Sequence, residues 1–162
     1  MKKFLKEYLP YLLVIILVLL IKKFVVTPIK VNGTSMVDTL HNGDIMILNN
    51  YIYRFRDIER FDIVVVDTER EYIIKRVIAL PGEELEYKDN KLYINGKKVK
   101  DNYSDEKTED FKTIVPKNSY FVLGDNRTNS MDSRVIGPIK KNKILGKTNL
   151  IIFPFNRFGI KQ

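Results

Sequence analysis

The chain has no cysteine among its 162 residues and a single histidine, His41. The first absence removes thiol nucleophiles, thiolate metal sites and disulfide staples. The second leaves no histidine cluster for a metal, and a Ser-His-Asp triad would have to use His41. His41 precedes Asn42-Gly43, a turn signal, and reads as a solvent-exposed loop residue. No internal repeat is evident, and no long helical periodicity follows the first thirty residues. Excess charge is also scarce beyond that point. Residues 1–30 hold six lysines and one glutamate, so +5 of the formal +8 sits there and only +3 remains for the other 132 residues. That distribution suits anionic lipid headgroups flanking a hydrophobic segment better than a phosphate-binding stripe, so no nucleic acid partner is expected.

What is present begins with that segment. Tyr8 to Ile21 carries no charge, and the stretch from Phe4 to Val26 is long enough to cross a bilayer if Lys6, Lys22 and Lys23 snorkel toward headgroups. A cleaved secretory signal is the competing reading, but Val25-Val26-Thr27-Pro28-Ile29 offers no Ala-x-Ala-like site. An uncleaved anchor is favoured. The lysines on its two sides balance, so orientation rests on the short N-terminal tail staying cytoplasmic, which places the rest of the chain outside.

After the anchor come short β-prone runs separated by turn residues: 44–48, 61–66, 72–80, 120–123, and 144–145 with 150–153. Helical turns are expected only near 51–55 and 131–135. Lys91 to Val99 reads as a hairpin turning at Asn95-Gly96, and 101–110 reads as a solvated polar loop. The resulting expectation is an all-β domain of the antiparallel barrel or sandwich type, with an inserted β-ribbon, behind one N-terminal transmembrane helix. Residues 1–27 form the tail and anchor, residues 28–162 the extracytoplasmic domain, and residues 82–116 the insertion.

Chemistry points to three segments. Ser35-Met36 lies a few residues past the anchor, so a reactive serine there would work at the membrane surface. Lys75 stands in Tyr72-Ile73-Ile74-Lys75-Arg76-Val77-Ile78, an otherwise apolar run in which desolvation would turn a lysine into a base. The third segment is Gly124-Asp125-Asn126-Arg127-Thr128-Asn129-Ser130-Met131-Asp132-Ser133-Arg134. Each is weak alone, since a Lys-Arg pair on a strand is usually an edge facing water and a Gly-Asp-Asn loop is usually a turn.

In this order, behind an anchor, they resemble the type I signal peptidases, in the compact form of Gram-positive bacteria. The resemblance covers nearly the whole chain. It implies a membrane-anchored serine endopeptidase of the plasma membrane that removes signal peptides from exported preproteins, without metal or cofactor, as a monomer. It implies Ser35 as nucleophile, Lys75 as general base and Ser130 as the group that orients the lysine. Asp125, Arg127, Asp132 and Arg134 would support the site, and the Ser35 backbone N–H would serve the oxyanion. Small residues before the cut would be read by shallow pockets, with Met36 and Ile74 as candidate walls. A carboxylate touching Lys75 would restabilise its ammonium, so Asp125 and Asp132 are expected to pair with Arg127 or Arg134 instead. Two positions depart from the family pattern. Asp38 replaces the usual proline three residues after the serine, and Gly33 occupies a position that is serine in some members. The alternatives are a silent membrane-tethered β-domain that only binds, or another Ser-Lys peptidase such as the self-cleaving repressors, which carry a DNA-binding domain where this chain has an apolar segment.

Overall fold

The computed structural model describes residues 7–16, 18 and 26–162. Residues 4–6, 17 and 19–25 of the expected anchor lie outside these residues. Within it, residues 7–16 and 18 are helical. No helix among the described residues is long and apolar enough to cross a membrane.

From Val26 onward the chain is β-rich, as its alternating and fully apolar runs require. The strands are β1 (Val26–Lys30), β2 (Ile45–Asn49), β3 (Ile63–Asp67), β4 (Tyr72–Ala79), β5 (Glu84–Lys88), β6 (Lys91–Ile94), β7 (Lys97–Val99), β8 (Phe111–Ile114), β9 (Ser119–Leu123), β10 (Ile139–Lys140), β11 (Ile144–Phe153) and β12 (Gly159–Ile160). One short helix, α1 (Ser133–Ile136), and a 3-10 turn at Ile52–Arg54 fall where helical turns were expected.

The strands make two antiparallel sheets. Eight form a large sheet ordered β1-β2-β11-β3-β4-β9-β10, with β12 attached to β11. Residues 84–114 contribute the other four as a separate sheet, β7-β6-β5-β8. The large sheet ends at β1 and β10 without closing, so the architecture is a curled half-barrel and not a closed barrel. The interruption has a local cause. β4 pairs with β3 along Tyr72–Arg76 but meets β9 only from Arg76 to Ala79, so the 72–75 side away from β3 carries no strand.

β11 crosses the middle of the sheet and pairs with β2, β3 and β12. It was legible only as two fragments. Its register shifts between Ile144 and Gly146 and again between Thr148 and Leu150, and at the second shift Asn149 and Leu150 break the alternation that runs from Ile144 to Thr148. Between the two sheets, Ile78, Leu85, Tyr87, Leu92, Phe121 and Leu123 form one buried cluster. A second apolar cluster, of Val31, Met36, Leu40, Met46, Ile63 and Ile151, lies under the turn that carries Ser35.

Candidate active site

Ser35 follows β1 on a turn fastened at both ends. Gly33, at φ +94, gives the chain a left-handed step that an L side chain resists, and its N–H donates to Asn42 Oδ1 at 3.0 Å. The turn is closed by Leu40 N–H donating to the Met36 carbonyl at 2.8 Å. The buried Met36 side chain pins it to the core beneath. The Ser35 hydroxyl is left half-exposed on a groove of about 1060 Å³.

Lys75 enters from β4, opposite Val64. Only 3% of it is exposed, and its Nζ lies 2.6 Å from Ser35 Oγ in a hydrogen bond. Burial is the largest influence on this amine, and it lowers the pKa from 10.5 to about 8. The carboxylates of Asp132, Asp125 and Glu71 pull the other way, and the Arg134 guanidinium assists the lowering. Asp38 is exposed and makes no hydrogen bond or ion pair among the described residues. It is not among the groups that act on Lys75.

The loop 124–132 supplies the third side. Gly124 is there for close approach, because a methyl on it would collide with Ser130 Oγ and the Ser35 carbonyl. That carbonyl accepts from Asn126 N–H at 3.1 Å, which ties the loop to the serine turn. Asp132 caps α1 and gathers Gly124 N–H at 3.0 Å and Arg134 Nη2 at 2.8 Å. Burial alone would raise the Asp132 carboxyl, but Arg134 and the Gly124 N–H outweigh it and hold the pKa below its ordinary value. Ser130 Oγ is buried close to Asp132, yet it closes no hydrogen bond of proper length and angle. Lys75 Nζ makes its hydrogen bond to Ser35 and not to Ser130. The Ser35 backbone N–H has no acceptor among the described residues.

The structure thus brings Ser35, Lys75 and the loop carrying Ser130 together around one groove, whose walls include Met36 and Ile74. It corrects the expected partner of Asp125. That carboxylate pairs with Arg76, which donates from Nε at 2.8 Å and from Nη2 at 2.7 Å, both side chains being fully buried. Arg76 is therefore not an edge residue facing water. Arg127 also goes elsewhere, to Asp101 at 2.6 Å. Sequence reasoning missed Thr39, whose hydroxyl donates to Asp125 Oδ2 at 2.6 Å, and the whole contribution of 101–108. A signal for Arg76 existed, since two adjacent charges in a fully apolar strand cannot both reach water. The 101–108 segment gave none, because its polar composition is that of a free loop. Among the described residues no group of His, Asp and Glu is arranged to hold a metal ion.

Comparison with known proteins identifies the family. Residues 3–153 match the signal peptidase family, peptidase S26. Signal peptidase I of Bacillus amyloliquefaciens is 42% identical over 160 residues, covering 90% of this chain and 83% of that protein. Signal peptidase I S of Bacillus subtilis strain 168 is 41% identical, covering 88% and 85%. The crystal structure of a signal peptidase I from Enterococcus faecalis V583 superposes with a TM-score of 0.53 at 37% identity, covering 57% of this chain and 97% of that one. With a serine and a buried lysine in contact on a half-barrel, and with these relatives, the chain belongs to the signal peptidase family, peptidase S26.

Proposed function

We propose that the protein is a membrane-anchored serine endopeptidase that removes signal peptides from exported preproteins, with Ser35 as nucleophile and Lys75 as general base. The observation that carries this reading is the 2.6 Å contact between Ser35 Oγ and the nearly solvent-free Nζ of Lys75. A serine hydroxyl needs a base to attack a peptide carbonyl, and a lysine serves only when neutral. With its pKa lowered to about 8, roughly a tenth of Lys75 is neutral at pH 7. In that form the Ser35 hydroxyl donates to the amine lone pair.

As Oγ bonds to the carbonyl carbon, its proton passes to Nζ. The oxyanion is met by the free Ser35 N–H, and collapse breaks the C–N bond while Nζ returns the proton to the departing amine. Water, deprotonated by the same amine, then cleaves the acyl-enzyme. Ser130 Oγ, buried and unpaired beside the site, is the group that would orient the lysine as the substrate closes over it. Asp125, Arg127, Asp132 and Arg134 would hold that loop in shape.

The substrate would lie extended between β1 and the open 72–75 edge of β4, with backbone hydrogen bonds supplying affinity. Met36 and Ile74 would floor shallow pockets for small residues such as Ala-x-Ala. The apolar segment 4–26 would anchor the protein in the plasma membrane as a single pass, with the reaction centre on the extracytoplasmic side. A monomer would suffice, since one chain carries every proposed group.

Cleavage of a preprotein with an Ala-x-Ala site by the full chain in detergent tests this. Ser35→Ala and Lys75→Ala should each lose activity by at least about a thousandfold. Turnover close to wild type by either variant would overturn the assignment.

A further inference from the structure

We propose that the connection 101–108, between β7 and β8, is a strap that positions the reaction centre, with Asp101, Tyr103, Glu106 and Thr108 acting as positioning residues through Arg127, Thr128 and Arg76. This deepens the Ser35–Lys75 reading and rests on it for its kinetic consequences only.

The contacts are dense for a segment whose composition is that of a solvated loop. Arg127 is 3% exposed, and all three guanidinium nitrogens donate hydrogen bonds. Nη2 donates to Asp101 Oδ2 at 2.6 Å, while Nη1 donates to the Thr108 hydroxyl at 3.0 Å and to the Tyr87 hydroxyl at 2.9 Å. Nε donates to the Gly124 carbonyl at 2.9 Å. Tyr87 completes the ring by donating to Asp101 Oδ2 at 2.5 Å. One residue further on, Thr128 donates to Glu106 Oε2 from its N–H at 2.8 Å and from its hydroxyl at 3.0 Å. On the other flank the Arg76 guanidinium stacks on Tyr103, 3.7 Å from the ring centroid, and the same guanidinium holds Asp125.

None of these side chains touches Ser35 or Lys75, so the effect must pass through the loop. Gly124 is the junction. Arg127 holds its carbonyl, Asp132 holds its N–H, and Ser130 Oγ and the Ser35 carbonyl lie against its Cα with no room for a methyl. Cutting the Asp101 contact leaves the buried Arg127 charge uncompensated, and it must then seek water. Movement of Arg127 frees Gly124, which displaces Ser130 and opens the wall beside Lys75. The amine touches only Ser35 Oγ, and the charges of Asp132, Asp125, Glu71 and Arg134 act on it from further off, with burial as the dominant influence, so hydration returns it toward the ordinary lysine range.

The test uses the full chain in detergent. Amide hydrogen exchange of 124–131 in Asp101→Ala should be at least about tenfold faster than in wild type, with β2, β3 and β4 unchanged. Its kcat should fall at least about tenfold with KM within about twofold, and the pH midpoint of kcat/KM should move upward. Asp101→Asn should recover part of the rate, and Asp101→Ala should cost nothing further once Arg127→Leu is present. Unchanged exchange in 124–131 overturns the strap, as does a rate loss matched by the unfolded fraction with the midpoint fixed. If Asp101→Ala does not fold, Glu106→Gln decides through exchange of the Thr128 amide, and an unchanged rate there counts against the proposal. The exchange readout needs no turnover, so it stands even if the wild type cuts no preprotein.

Discussion

Lys75 and Arg76 are consecutive in β4 and almost equally buried, at 3% and 0% exposed, but the fold treats their charges in opposite ways. The strand's alternation sends them to opposite sides. Arg76 meets a carboxylate in a two-pronged contact, a stacking ring in Tyr103 and the Phe61 carbonyl at 3.0 Å. Lys75 meets only a neutral hydroxyl at hydrogen-bond distance. One burial is compensated and makes a permanent cation that braces the loop. The other is uncompensated and makes a lysine that loses its proton easily. Burial alone therefore does not define a reactive lysine, because the missing carboxylate contact matters as much.

The largest effect on this contrast should come from breaking the compensated side. Asp125→Ala strands Arg76 as a buried, unpaired charge and should cost about 3–5 kcal/mol of stability, read from urea midpoints. A loss below about 1 kcal/mol would mean that Arg76 finds water in spite of its burial. A smaller effect of opposite sign is expected on the other side. The Lys75 amine has its native pKa below the unfolded value of 10.5, so the native state bears the desolvation cost in full below about pH 8. That cost fades as pH rises from about 8 to 10.5. Lys75→Met should then abolish cleavage while adding about 1–3 kcal/mol at neutral pH, with no gain above pH 10.5. A destabilised Lys75→Met protein would show that the amine contributes more than it costs. The smallest effect is on the wild-type rate. On the proposed reading, in which the neutral amine is the base, kcat/KM should climb roughly tenfold from pH 7 to pH 9 and level off beyond the midpoint near 8. A flat profile over that interval would contradict a titrating base.

How much of this could be read from the residues follows from the same physics. β4 and β9 were plain because both are buried over most of their length and read as apolar runs. The 91–99 hairpin was plain because Asn95-Gly96 dictates its turn. β5 and β8 were not: β5 has only Leu85 and Tyr87 to set against Glu84, Glu86 and Lys88, and β8 turns Thr113 inward opposite Leu85 while leaving Ile114 exposed. Ser35 and Lys75 stood out by residue type and neighbourhood. The partnerships of the supporting charges did not, because pairing across 49 residues for Arg76–Asp125 depends on β4 meeting β9, and pairing across 26 for Arg127–Asp101 on how the second sheet docks. Composition cannot encode that docking.

The unpaired 72–75 edge of β4 carries a cost that the rest of the sheet avoids. A closed barrel would have no such edge, and an open one is a template for any stray strand. Here the same N–H and C=O groups that would grip a preprotein are offered to every unfolded chain nearby. The flanking residues limit that exposure. Lys30 and Glu71 border the groove, and the exposed ring of Tyr72 stands at its entrance, so a flat apolar strand finds charge and bulk at the rim. Protection from aggregation and access for a peptide are thus set by the same few side chains, and a change that widens one narrows the other.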